Sequence, residues 1–293
     1  MRQQFVKTIE SVLEQDSRLI VLLGDIGVFG FRRAFEKYPD RMYNAGILEQ
    51  ATVGLAAGLS SEGFIPVVHT IAPFIVERSL EQIKIDFCYQ NLGGNFISVG
   101  SSFDYAALGC THHCPGDVGI LKNVPGMQIV VPGHPEEFDR LFQQSYTNGR
   151  ATYFRLTEKG NSLPNSVEFG KAAVLKRGAK ATIIAVGPVL EDVMSACVDI
   201  DITILYYTSL EPFDVETLRQ NCASSKILIC EPYYSGALDY DVIKSVGINS
   251  VKIEHIGVPH VFLTQYGKAQ DHNQCIGLTP QNIRLKLGSL INE

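Results

Sequence analysis

The run Asn44 to Gly63, NAGILEQATVGLAAGLSSEG, places a single early carboxylate, Glu49, at the head of a segment of small and apolar residues. Leu48, Ala51, Val53, Leu55, Ala56, Ala57 and Leu59 are expected to leave little water beside it. An ionised carboxylate in such surroundings requires a partner, because burying an unpaired charge is costly and pushes the group toward its neutral form. Two readings follow. Glu49 is either a helix-head carboxylate stabilised by the positive end of the helix dipole, or a carboxyl held in a dry cleft to exchange a proton with a cofactor nitrogen. Four further places carry groups able to do chemistry. Asp25 lies in GDIGVFGF, Gly24 to Phe31, a glycine-rich loop behind an apolar strand whose spacing matches neither a Walker loop nor the dinucleotide fingerprint. Phe74 lies in HTIAPFIVERSLEQ, which also follows a strand and presents this ring at the start of a helix, either to a ligand or to the core. CTHHC, Cys110 to Cys114, gathers His112 and His113 between two thiols. Its members are too close together to share one ion comfortably, and no second Cys/His pair sits at zinc-finger spacing, so no metal site is assigned. A loop histidine beside a substrate is the better use, since its charge changes near physiological pH. Arg155, ending TYFR, can grip a carboxylate or phosphate, or serve as an ordinary ion-pair partner.

The elements that must position these groups alternate between β-rich runs and helical patterns, which predicts parallel sheets covered on both faces. Strands are expected near Leu19–Leu23, Pro66–Thr70, Phe96–Val99, Gln128–Val131 and Thr152–Leu156, with helices near Gln3–Gln15, Glu49–Ser60, Val76–Gln90 and Pro135–Thr147. EKGNSLPNSVEFG, Glu158 to Gly170, reads as a linker. Beyond it strands are expected near Ala181–Val186, Ile202–Tyr206, Lys226–Cys230 and Val251–Ile256, and helices near Val189–Val198, Asp214–Asn221, Leu238–Val246 and Pro280–Leu290. The fold class is α/β with two domains, residues 1–160 and 170–293.

Composition bounds the function. The 293 residues suit one large or two medium domains, and 45% hydrophobic residues supply a sizeable core. Only 19% are charged, which points to surface covered by another chain. A net charge of −6 without a basic stripe argues against nucleic acid. The longest wholly apolar run, Leu19–Leu23, is too short to cross a membrane, and the amphipathic N-terminal run lacks the apolar core of a signal peptide. Seven cysteines without paired spacing fit reduced thiols, so a cytoplasmic location is expected.

Taken together the segments resemble the C-terminal half of transketolase-type thiamine diphosphate enzymes, including split transketolases whose halves are separate chains. NAGILEQATVGLAAGL is similar to the family's N-x-G-I-x-E-Q-x-x-V-G-x-A-A-G-L, and THHCPGDVGILKNVPGMQIVVPG to its T-H-Q segment. EHIGVPHVFLTQYGKAQDHNQCIGLTPQNI is similar to the tail of 1-deoxyxylulose-5-phosphate synthases. The resemblance covers nearly the whole chain, in order. It implies a pyrimidine-binding domain followed by a transketolase C-terminal domain, with thiamine diphosphate as cofactor. Glu49 then corresponds to the glutamate that hydrogen-bonds N1′ of the aminopyrimidine, a step that activates thiazolium C2 and requires a shielded acid. Phe74 falls among the residues lining the pyrimidine pocket, Ile71 in the place of the ring that usually stacks, and Asp25 in the loop near the thiazolium. His112 corresponds to the substrate-facing histidine, His113 stands where the family has glutamine, and Arg155 lies where phosphate-gripping arginines occur.

The departures are informative. Leu108 stands where pentose-phosphate enzymes carry an aspartate, and Gly100 where they carry a phosphate-binding histidine. A different sugar, a nucleotide-linked one, or a short-chain acyl donor is therefore expected. The family's G-D-G…N motif for diphosphate and Mg2+ is absent; GDIG at Gly24 lacks the third glycine. The resemblance therefore implies an N-terminal-type partner subunit that supplies the Mg2+ ligands, in an α2β2 heterotetramer transferring a two-carbon ketol unit. The β subunit of a 2-oxoacid dehydrogenase and a non-catalytic relative are the alternatives.

Overall fold

The computed structural model describes residues 1–222, 224–247 and 250–292. The chain opens with helix α1 (Arg2–Gln15), which buries Phe5, Ile9, Val12 and Leu13, and enters strand β1 (Leu19–Leu23), buried at every position. Then follow α2 (Arg32–Lys37), β2 (Met42–Asn44), α3 (Glu49–Ser61), β3 (Ile65–Ile71), α4 (Ala72–Val76), a single turn α5 (Leu80–Gln82) that runs into a π-helical segment (Ile83–Tyr89), and β4 (Gly94–Val99). The first half ends with α6 (Asp117–Lys122), β5 (Gln128–Val130), α7 (Pro135–Ser145) and β6 (Ala151–Arg155). After an irregular stretch come β7 (Ala172–Lys176), β8 (Thr182–Val186), α8 (Leu190–Ala196), β9 (Thr203–Tyr207), β10 (Ser209–Glu211), α9 (Val215–Asn221), β11 (Lys226–Tyr234), α10 (Asp239–Val246), β12 (Lys252–Val258), α11 (Ala269–Ile276) and α12 (Pro280–Asn292).

The strands form two sheets. One runs β10-β5-β6-β4-β3-β1-β2, all parallel except β10, which pairs antiparallel with β5. The other runs β12-β11-β8-β9-β7, with only β7 antiparallel. The α/β class with parallel sheets covered by helices is as expected. β1, β4, β6, β8 and β9 are buried throughout, and β1 reads as a continuous apolar run rather than an alternating one. Each of two apolar clusters takes residues from both sheets, one joining α1 and α7 to α8 and α12, so the halves share a continuous core. β10 belongs by sequence to the second half yet closes the edge of the first sheet, with Val131 N–H donating to the Thr208 carbonyl at 2.7 Å.

One expected helix is broken. The apolar positions Val76, Leu80, Ile83 and Phe87 keep helical spacing, but the chain turns between α4 and α5. There the N–H groups of Glu77 and Arg78 both donate to the Pro73 carbonyl, and the Ser79 hydroxyl donates to the Phe74 carbonyl at 3.2 Å. This turn delivers Arg78 to the site described below. Among the described residues no helix is long and apolar enough to cross a membrane.

Candidate active site

In the first sheet the chain leaves β1 for β2 on one side and returns to β3 on the other, so the crevice at the carboxyl ends of β1 and β3 is a topological switch point. Ligands of open α/β sheets bind at such points. The loop leaving β1 is tied to the loop leaving β2. Asp25, at φ 57°, donates its N–H to Asn44 Oδ1 at 3.0 Å, and Asn44 Nδ2 donates back to Asp25 Oδ1 at 3.0 Å. Asn44 Oδ1 also accepts from Gly46 N at 3.2 Å, setting the direction in which the chain enters α3.

Glu49 is the first residue of α3 and only 3% exposed. Its Oε2 accepts from Arg78 Nη1 at 2.7 Å, while its Oε1 is buried and has no hydrogen-bond partner. The shielding differs from the sequence expectation. Leu48, Ala51 and Leu55 do not cover Glu49; they lie with Gly58 on the outer face of α3 and are exposed. The opposite face, Thr52, Val53, Ala56 and Ala57, packs into the core. A helix apolar on both faces is stable in water only when its outer face is covered.

Arg78 joins the remaining groups. Its guanidinium carbon lies 4.3 Å from the centroid of the Phe74 ring, and the Phe74 ring meets His112 edge-on at 5.4 Å. His112, half-buried, has Nδ1 3.0 Å from Thr111 Oγ1, and its ring lies 6.2 Å from that of Tyr105. Gly100, at φ +76°, opens the loop leaving β4; a Cβ there would fall 2.3 Å from the Tyr105 ring and 3.1 Å from Ile71 Cγ2. Tyr105 therefore fills the space a side chain at position 100 would need. Glu49, Phe74 and His112 thus come together through Arg78, with Ile71 reached through Gly100 and Tyr105. Leu108 stands 52% exposed on the turn between Tyr105 and His112.

Two of the sequence candidates lie outside this cluster. His113 turns away from His112 into the seam with the second half, where its ring packs on Phe103 at 5.3 Å and His272 at 5.5 Å. Burial, and then His272, push its pKa down. Adjacent residues on an irregular loop face opposite ways, and the sequence does not say which one faces the cleft. Arg155 lies apart from this cluster, fully buried, in the ion-pair role that the sequence also offered. Its Nε donates to Asp117 Oδ2 at 2.8 Å and its Nη2 to Ser102 Oγ at 2.5 Å and the Pro232 carbonyl at 3.2 Å. Tyr153 Oη also donates to Asp117 Oδ2, at 2.9 Å. CTHHC does not converge: Cys110 is exposed, whereas Cys114 is buried with its Sγ 3.6 Å from Glu77 Oε1. Sequence reasoning missed Arg78 and Tyr105. The only signal for Arg78 was its helical spacing from Phe74, four residues on.

Beneath the β1 loop, His69 is buried with its Nδ1–H donating to the Ile97 carbonyl at 2.8 Å, which leaves Nε2 as an acceptor under Gly27. Burial pushes its pKa from 6.5 down to about 4. Between those values the unfolded chain binds a proton that the folded chain does not. Stability should therefore fall as pH drops from about 6.5 toward about 4, by about 3 kcal/mol in all. Urea denaturation at about pH 7 and about pH 5 checks this, and His69→Gln should flatten the difference.

Residues 1–162 match the family described as Transketolase, pyrimidine binding domain. An uncharacterized 33.6 kDa protein in the fasciation locus of Rhodococcoides fascians is 35% identical over 98% of this chain and 93% of its own length. One subunit of the apulose-4-phosphate transketolase of Actinobacillus succinogenes is 32% identical over 66% of this chain and 65% of its own length, so that alignment spans about two thirds of each. Among solved structures, a split gene transketolase described as an inactive beta4 tetramer superposes with a TM-score of 0.87 at 24% identity, covering 99% of this chain and 97% of that one. The chain belongs to the transketolase family, as a subunit of its C-terminal type.

Proposed function

We propose that this chain supplies the pyrimidine-binding half of a two-chain, thiamine diphosphate-dependent transketolase that moves a two-carbon ketol unit between sugar-type substrates. The observation that carries this reading is the Glu49 carboxylate, buried, with Oε2 held by Arg78 and Oε1 left without a partner. An unsatisfied buried acceptor is costly, and a ring nitrogen bearing a proton is the partner it suits. The residues fit the group: Glu49 Oε1 would hold the pyrimidine ring nitrogen, and Ile71 and Phe74 would give the aminopyrimidine an apolar flank. Thiamine diphosphate, when bound, supplies the carbon nucleophile and electron sink of ketol transfer.

The chain's own residues then have separate tasks. Glu49 holds the proton at N1′, and Arg78 fixes the carboxylate so that Oε1 alone is available. Asp25, tied to Asn44, sets the loop at the carboxyl end of β1. His112, beside Phe74, takes and returns the proton of a substrate hydroxyl or carbonyl oxygen. With Tyr105 filling the space at Gly100 and Leu108 on the rim, the substrate is a sugar-type compound other than an ordinary pentose phosphate. Diphosphate and Mg2+ are held by an N-terminal-type partner carrying the G-D-G…N motif, in an α2β2 assembly. The exposed Leu48, Ala51, Leu55 and Gly58 stripe, alongside Glu49, supports such a partner.

Arg78→Gln should lower stability by about 1 kcal/mol, since the arginine is half-exposed. It should lower turnover more, by about 10- to 100-fold, because Glu49 loses its fixed geometry. Denaturation midpoints and steady-state rates separate the two effects. The function itself is tested by mixing the chain with an N-terminal-type subunit, thiamine diphosphate, Mg2+, ketose donors and aldehyde acceptors, and identifying products by mass spectrometry. A new ketose supports the reading. Acyl transfer to lipoamide without ketose formation overturns it, as does a stable, active enzyme of this chain alone on gel filtration.

A further inference from the structure

A cavity of about 120 Å³ lies between the two halves, and none of Glu49, Ile71, Phe74, Arg78 or His112 lines it. Its walls come from the segments at the carboxyl ends of β4, β6, β8, β11 and β12. In the second sheet the chain passes from β8 to β9 on one side and then to β11 on the other, so this cavity opens at that sheet's own switch point. Fold logic places ligands there independently of the first site.

Around the cavity Arg155 attracts Asp104 and Lys159 attracts Asp192, with no direct ion pair closing either couple among the described residues. Arg155 forms the floor, fully buried, with Nε and Nη2 committed as described and Nη1 without any partner. Asp104 accepts the backbone N–H of Glu158 at 3.0 Å and has no ion pair among the described residues. Burial pushes its carboxyl up to about 7. Asp192, half-buried, is also shifted upward by burial, with the charge of the exposed Lys159 acting against that shift. A lone buried guanidinium N–H is costly until an acceptor reaches it. Two cations and two carboxyls thus share one small space, an arrangement matched by a ligand that carries both signs.

Size narrows the occupant. An apolar cavity of about 150 Å³ takes benzene, with six heavy atoms. The space here is comparable, too small for a nucleotide or sugar phosphate. We propose that this cavity binds a small zwitterion, an α-amino acid of glycine to serine size, with its carboxylate on Arg155 Nη1 and Lys159 and its ammonium between Asp104 and Asp192. The site joins segments of both halves, so the ligand would hold the seam between them. This proposal does not depend on the thiamine reading.

The test is calorimetry and thermal denaturation of the purified chain at about pH 8 with glycine, L-alanine and L-serine, against acetate, methylammonium and glycerol. At least one amino acid should bind in the millimolar range or tighter and raise the midpoint, while the three controls do not. Asp192→Asn and Asp104→Asn should each weaken binding tenfold or more, and circular dichroism confirms that both variants are folded. The proposal is overturned if no amino acid binds, if glycerol or either single-charge control binds as well, or if both folded variants keep wild-type affinity.

Discussion

Replacing Glu49 with glutamine should abolish turnover of the reconstituted two-chain enzyme, by about 10²- to 10⁴-fold, with the fold intact. The side chain keeps its shape, so Arg78 still finds an oxygen, but the carboxylate that would hold a proton at N1′ is gone. Two measurements separate this from a packing defect. The denaturation midpoint should stay close to wild type, because the Arg78 partner of Glu49 is half-exposed and contributes little. Exchange of the cofactor C2 proton should slow by the same factor as turnover. Wild-type exchange in Glu49→Gln would refute the role given to Glu49.

Asp117→Ala should be the most destabilising single change in the molecule's interior, by about 3–5 kcal/mol. Asp117 and Arg155 are both fully buried and joined at 2.8 Å. Desolvating the two charges offsets much of their attraction, so the pair contributes little beyond an apolar equivalent. Removing one partner is different: the guanidinium then stays buried without its directly bonded counter-charge, and Tyr153 loses its hydrogen bond to Asp117. The double change Asp117→Leu with Arg155→Met should therefore recover much of the loss, although each single change is severe. Urea denaturation of the three variants measures this, and a double variant as unstable as the sum of the singles would show that the network acts through hydrogen bonding rather than charge.

How far the sequence carried the fold depended on burial pattern. Leu19–Leu23 is read to the residue because five consecutive apolar residues bounded by polar ones admit few alternatives. β2 and β10 are three residues each and exist because β1 and β5 lie beside them, which no local pattern announces. The expected helix from Val76 fails where its apolar spacing continues through a turn set by Pro73 and Ser79. In the site, Glu49, Phe74 and His112 come from motif and lie in one chain of contacts. Arg78 does not, since Glu77-Arg78 reads as a solvated helix face. Arg155 lies in the interior because the end of a strand buried on both faces is not a rim, which its position in the sequence does not announce.

The edge strand β10 carries a consequence for how this chain can be divided. The match to the pyrimidine-binding family ends at residue 162, and a fragment cut there would look self-sufficient. It would lack Ser209–Glu211, leaving the outer edge of β5 with bare N–H and C=O groups. Such an edge recruits other strands, so the fragment should aggregate or pair with itself. The two halves are therefore woven together rather than strung together, and a cut at the narrow waist in sequence separates strands that belong to one sheet.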